Sequence, residues 1–268
     1  MGLPPQSKLA KAASDKVETE YKTARKQGRV TKSLFSATDI KPISQVMAKA
    51  RTVFNELSLP FDDAYRIIPT SQYFKFTKEL QTLASEFDQK KQEFLRGYPA
   101  ILSRAETALG ELFDADDYPT TTRLQNTVHF SVESTTVPNT SAIEELAGLT
   151  EKEISHLKDQ CEAGLKSKVE DALQDLFQRL FKSLQKASVK LADEDGVFRN
   201  TLLGNIENAL TAIDTLNLTN DQKLKDLGTE VKALLEDVSS DDLRTDKELR
   251  NQKAEEAQAV LKKMQDFF

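Results

Sequence analysis

Among 268 residues the chain has no Trp, one Cys, two His, nine Gly and eight Pro, and each scarcity excludes something. A lone Cys161 cannot build an intramolecular disulfide framework and fits a reducing compartment. Its neighbours put it on the apolar face of a helix, as a core or interface residue rather than a reactive thiol. Two His and no Trp leave little material for an imidazole centre or an aromatic cage. Sparse Gly and Pro mean few turns, so the elements between them are long. No eighteen apolar residues run together, so no helix is expected to span a membrane. The opening MGLPPQSKLAKAAS lacks the apolar stretch of a signal peptide, and Pro4 and Pro5 fit a myristoylation acceptor at Gly2 poorly. The expected location is the cytoplasm.

What the chain does have is charge. Charged residues make up 30% and apolar ones 38%, the balance of long amphipathic helices with one solvated face. The charge is uneven. Residues 1–60 carry eleven Lys/Arg against five Asp/Glu, whereas residues 61–268 carry 26 against 38. An acidic body is a poor partner for nucleic acid or anionic lipid, while the basic first segment suits an acidic surface, including one of its own chain.

Apolar spacing predicts helices almost throughout. A charged helix over 7–27 ends near Gly28, and Pro42 opens a helix over 41–58. Another runs from Ser71 to Arg96, Gly97-Tyr98-Pro99 breaks it, and a further helix covers 99–113. Short connections of this kind make antiparallel neighbours. Between 114 and 140 the pattern changes: Val128, Phe130 and Val132 alternate with polar residues, which predicts a short strand or hairpin. Thr150 and Glu153 form a capping-box signature. From Ile154 to Leu191 apolar positions recur with a mean step of 3.7 residues, closer to an 11-residue period than to the heptad. About 45 helical residues give a rod of about 67 Å, with Gly164 as a weak point. Helices over 197–215 and 219–237 follow, and a highly charged last helix, mostly solvated unless something pairs with it, ends in Met264 and Phe267-Phe268.

The search for chemistry is negative. His129 and His156 lack metal or triad spacing. Asp114, Asp116 and Asp117 resemble the start of a calcium loop without its Gly and terminal Glu, and Asp193-Glu194-Asp195 reads as a helix end. No phosphate-binding Gly-rich loop occurs. No catalytic, cofactor-binding or metal residues are therefore assigned, and the chain is expected to be a non-enzyme without cofactors. Lys8, Lys11, Lys16, Lys22, Arg25, Lys26, Arg29 and Lys32 form the one dense basic run, of which Lys22, Arg25, Lys26 and Arg29 are the candidate contacts for a partner.

Several segments taken in order carry a family likeness. They are Leu59-Pro60-Phe61-Asp62-Asp63, Tyr65-Arg66-Ile67-Ile68-Pro69, Tyr73, Phe94-Leu95-Arg96-Gly97-Tyr98-Pro99 and Leu109-Gly110-Glu111-Leu112-Phe113 with Tyr118-Pro119. Arg179-Leu180, Phe198-Arg199-Asn200-Thr201-Leu202 with Asn205, and Leu216-Asn217 complete the series. Over roughly residues 40–236 this order resembles domain-of-unknown-function family 3150, found in bacteriophages, plasmids and some bacteria. The resemblance implies a mobile-element origin, a host-cell cytoplasmic setting and no established activity. By gene association it also implies the company of a MoxR-type AAA+ ATPase and a von Willebrand A protein, which would make the chain an adaptor. Arg66, Arg199 and Asn205 are its polar candidates, either satisfying orphan helix carbonyls or meeting a partner.

The expected fold is all-α: an elongated helical bundle with long antiparallel helices and one small β-hairpin or strand insertion. The expected divisions are a basic N-terminal helix and linker (1–40), a helical subdomain with a short β segment (41–140), and a long-helix, coiled-coil-like subdomain (141–268). The expected function is a non-enzymatic scaffold or adaptor that self-associates as a homodimer or higher oligomer. The alternatives are a nucleic-acid-associated protein using the basic arm, and a phage inhibitor of a host enzyme or defence system.

Overall fold

A computed structural model describes residues 1–24, 27–137, 140, 143, 148–193, 201–236 and 238–265. Among them the chain is all-α with two small antiparallel strand pairs. It divides into two compact units, residues 1–53 with 77–135 and residues 54–76 with 136–268.

The first unit opens with β1 (Ser7–Leu9), α1 (Lys11–Glu20) and β2 (Thr31–Ser33), where the sequence predicts one helix over 7–27. Three-residue strands carry no periodicity to read, and the pairing of Ser7 with Ser33 and Leu9 with Thr31 makes them. Helix α2 (Ala37–Glu56) buries Ile40, Ile43, Val46, Met47 and Ala50. Helix α3 (Tyr73–Leu109) runs through Pro99 without a break. Proline removes one intrahelical bond, but Phe94, Leu95, Tyr98 and Ile101 are all buried around it, and that apolar burial outweighs one hydrogen bond. Ion pairs Asp39–Arg104 at 2.7 Å and Lys49–Glu86 at 3.2 Å show that α2 and α3 run antiparallel.

The expected strand at 128–132 is absent. Helix α4 (Thr121–Thr127) occupies the approach to it, capped by the Thr120 hydroxyl accepting from Arg123 N–H. Val128 is buried, the Phe130 ring meets that of Phe87 at 5.7 Å, and Val132 is exposed. The alternation thus reflects packing on helices, and its one trace of sheet is an isolated bridge between His129 and Gly2.

In the second unit, β3 (Leu59–Pro60) pairs with β4 (Arg66–Ile67), and the long helix α5 (Glu151–Leu191) begins with the expected Thr150/Glu153 capping box. Helices α6 (Thr201–Leu216), α7 (Gln222–Leu235), α8 (Asp242–Thr245) and α9 (Lys247–Gln265) follow. The core joins Leu176, Leu180 and Leu184 of α5 to Ile206, Ile213, Leu227, Val231, Val260 and Leu59. Helix α9 is less solvated than its charge suggests: Arg250, Ala254, Ala257, Val260, Leu261 and Met264 are buried. Phe267 and Phe268 lie outside the described residues.

Candidate functional site

One of the three polar candidates from the family likeness, Arg66, sits at a junction of three elements. Arg66, on β4, folds back onto the C-terminal end of α2. Its Nε donates to Ser58 Oγ at 2.7 Å, and its Nη2 donates to Ser58 O at 2.8 Å and Asn55 O at 3.3 Å. From α5, Arg179 Nη2 donates to the same Ser58 carbonyl at 2.9 Å while its Nε holds Asp175 at 2.6 Å. Ser58 is 1% exposed. Two guanidiniums therefore satisfy carbonyls that the end of a helix leaves open, where positive charge is favoured. Burial and the neighbouring Arg179 charge push the Arg66 guanidinium pKa down, against a smaller pull from Asp175.

The hairpin tip is held by a second contact. Asp62 Oδ1 accepts from the Ala64 and Tyr65 N–H groups at 3.0 and 2.8 Å, and Oδ2 accepts from Lys168 Nζ at 3.1 Å. These bonds, led by that of Tyr65 and then Lys168, hold the Asp62 carboxyl below its ordinary range. Lys168 also sits 4.7 Å from the centre of the Phe61 ring. The hairpin is thus riveted to α5 at Lys168 and Arg179, and Arg66 serves packing rather than a free surface.

The acidic cluster at 114–117 resolves differently from a metal loop. Asp114 accepts from Asp116 N–H at 3.0 Å, and Asp117 takes both Lys8 and Lys32. Hydrogen bonds from Lys32 and then Lys8 lower the Asp117 pKa. Around it Phe35, Phe94, Tyr98, Phe113 and Tyr118 form an aromatic cluster with ring separations of 5.3–6.2 Å. The Tyr98 hydroxyl donates to Pro119 O at 2.7 Å, whereas the buried Tyr118 hydroxyl has no partner among the described residues. No group of three His, Cys, Asp or Glu there could hold a metal ion, and no described helix is long and apolar enough to cross a membrane.

The remaining candidates are not brought together. Lys22 is exposed in the left-handed region at φ 49°, Arg29 is exposed, and Asn205 is exposed on α6. Arg25, Lys26 and Arg199 lie outside the described residues. His156 is exposed on α5. Cys161, expected in a core or interface, is exposed.

The most telling surface is one the spacing announced without locating. Every buried residue of α5 falls at or after Ala172. Before it, the same apolar stripe continues through Ile154, Leu157, Leu165 and Val169, all part-exposed, and the exposed Cys161. Aromatic surface is exposed as well: Phe74 is 82% and Tyr65 57% accessible.

Compared with known proteins, the chain matches a family described as a protein of unknown function, domain-of-unknown-function family 3150, over residues 11–266. No curated protein and no solved structure matches it.

Proposed function

The chain belongs to domain-of-unknown-function family 3150, and on that premise we propose that it is a non-enzymatic helical scaffold or adaptor that pairs with a second copy through the first half of α5. The observation that carries this reading is the apolar stripe from Ile154 to Val169, along which no residue is buried. A helical stripe of this kind gains by covering against another helix. The stretch from Glu151 to Asp171 is about 31 Å long, a small interface by the standards of stable dimers, so weak and concentration-dependent association is expected.

Light scattering coupled to gel filtration, over a range of loading concentrations, tests it. The expected result is a mass rising from 30.1 kDa toward twice that value, with Leu157→Lys and Leu165→Lys holding it at the monomer. A wild-type chain that remains monomeric throughout refutes self-association. The other proposed partner, a MoxR-type AAA+ ATPase in a phage or mobile-element setting, rests on the family resemblance. Affinity capture from native cells with and without nuclease tests that part. Recovery of a nuclease-resistant ATPase supports the adaptor, and a purely nuclease-sensitive set of proteins replaces it with a nucleic-acid role for the exposed Lys11, Lys16, Lys22 and Arg29.

A further inference from the structure

Residues 1–24 and 27–34 pack on the rest of the first unit through buried Ala10 and Leu34 and through specific polar contacts. Gly2 N–H donates to His129 O at 2.9 Å, in a seat where a Cβ would collide with the Thr127 carbonyl. The β1–β2 ladder is extended by Leu34 N–H donating to Gln6 O at 2.9 Å. Ser14 ties α1 to it: its hydroxyl donates to Ala10 O at 2.9 Å and accepts from Val30 N–H at 2.9 Å.

The register of that ladder puts Lys8 directly opposite Lys32, a like-charge pair that destabilises a hairpin when left alone. Lys32 is 7% exposed, so an ammonium there without a counter-charge is strongly unfavourable. One carboxylate resolves both problems. Asp117 accepts from Lys8 and Lys32 together, and Lys32 also donates to Leu112 O at 2.6 Å. Asp114 and Asp116 add a weaker attraction on Lys8.

We propose that the described residues of the N-terminal segment, 1–24 and 27–34, form a strap latched by Asp117, and that a phosphate polyanion competing for Lys8 and Lys32 releases it. Closed, the strap keeps these two lysines out of the basic run. Open, it presents Lys8, Lys11, Lys16, Lys22, Arg29 and Lys32 as one arm whose spaced cations suit a chain of phosphates. The device stands apart from self-association through α5, since it uses none of that helix.

Hydrogen exchange read by mass spectrometry on the full chain tests it, with long-chain polyphosphate as the probe. In D117N, exchange at residues 7–10 and 30–34 is expected to rise about ten-fold or more, while the interior of α3 around Phe87 and Phe94 keeps its protection. The K8Q variant leaves the Asp117–Lys32 pair and stays closed. The double variant D117N/K32M replaces the buried pair with apolar matter and regains wild-type protection. Polyphosphate added to the wild type opens the same peptides, and added salt reverses the effect. Unchanged exchange in D117N overturns the latch. Equal loss of protection along α3 overturns it too, because Asp117 would then hold the unit and not the strap. Wild-type exchange indifferent to polyphosphate overturns the release.

Discussion

Arg66 and Arg179 converge on one acceptor, Ser58 O, and this convergence predicts how the two residues behave when removed singly and together. Substitution by methionine keeps most of the aliphatic stem and deletes the guanidinium. Arg66→Met loses the bonds to Ser58 Oγ and Asn55 O, but Ser58 O keeps Arg179, so the cost is about 1–2 kcal/mol. Arg179→Met loses a part-exposed i,i+4 pair with Asp175, whose side chains are 23% and 30% accessible, worth only about 0.5 kcal/mol. The lost Arg179 bond to Ser58 O, which keeps Arg66, adds to this and relief of the repulsion between the two arginines subtracts from it, for about 1 kcal/mol in all. The double variant leaves a carbonyl of a 1%-exposed residue with neither donor, a further loss of about 1–3 kcal/mol. The double-mutant cycle should therefore be more than additive by about 1–2 kcal/mol. Urea unfolding followed by circular dichroism, with slopes compared to confirm a common denatured state, measures all four corners. Additivity within about 0.5 kcal/mol would refute the shared-acceptor account.

Leu180→Ala, at a fully buried position in the second half of α5, should cost about 2.7–5 kcal/mol, and Leu157→Ala, on the part-exposed stripe, clearly less at low protein concentration. Equal costs in the monomer would mean that the first half of α5 is already fully covered. Glu133 is exposed between the last residues of the first unit, so cleavage there by a glutamate-specific protease is expected early. The two fragments should still elute together under native conditions, because residues 54–76 of the first fragment are riveted to α5 of the second through Arg179 and Lys168. Separation without denaturant would contradict this. Finally, the Glu153 carboxyl is lowered from its ordinary value of 4.5 by the Thr150 N–H and hydroxyl. A depressed folded-state pKa gives stabilisation present above the unfolded value and lost as pH falls through the folded one. Amides at the start of α5 should therefore lose protection as the pH falls below the ordinary value of 4.5 and through the depressed folded one, and Glu153→Gln should abolish the pH dependence.

Long helices were legible because their evidence is long. The Ile154–Leu191 spacing and the Thr150/Glu153 box predicted α5 and its start, and both stand. Local signals misled where distant packing decided. Pro99 reads as a break, yet Phe94 and Tyr98 on one side and Ile101 on the other are buried and hold α3 together. Val128 and Phe130 read as a strand, yet Val128 is buried and the Phe130 ring meets Phe87 of α3. The strand pairs that do form consist of two or three residues each, below the length at which alternation can be seen. The site shows the same division. That Arg66 satisfies orphan carbonyls could be anticipated from its place after a helix, but not that Arg179 shares its acceptor. Likewise, a dense basic run is visible in the sequence, whereas the removal of Lys8 and Lys32 from it by Asp117 depends on a contact made across most of the first unit.

The residues behind the family likeness divide sharply by what they do in the structure. Leu59, Phe94, Tyr98, Tyr118, Leu180 and Leu216 are buried. Arg66 and Arg179 cap a helix end, and the Asn217 amide closes the turn before α7 by bonding both ways with the Asp221 backbone at 3.0 and 2.8 Å. Such residues specify a fold, and a likeness built on them transmits architecture rather than activity. Tyr65 and Tyr73 depart from the rule, being 57% and 39% accessible, with Phe74 at 82% beside them. The Tyr73 and Phe74 rings meet edge to face at 5.7 Å, an arrangement that aromatic pairs favour. The surfaces on which the proposed partners are to be tested are the first half of α5, where no residue is buried before Ala172, and the lysines of the proposed N-terminal strap.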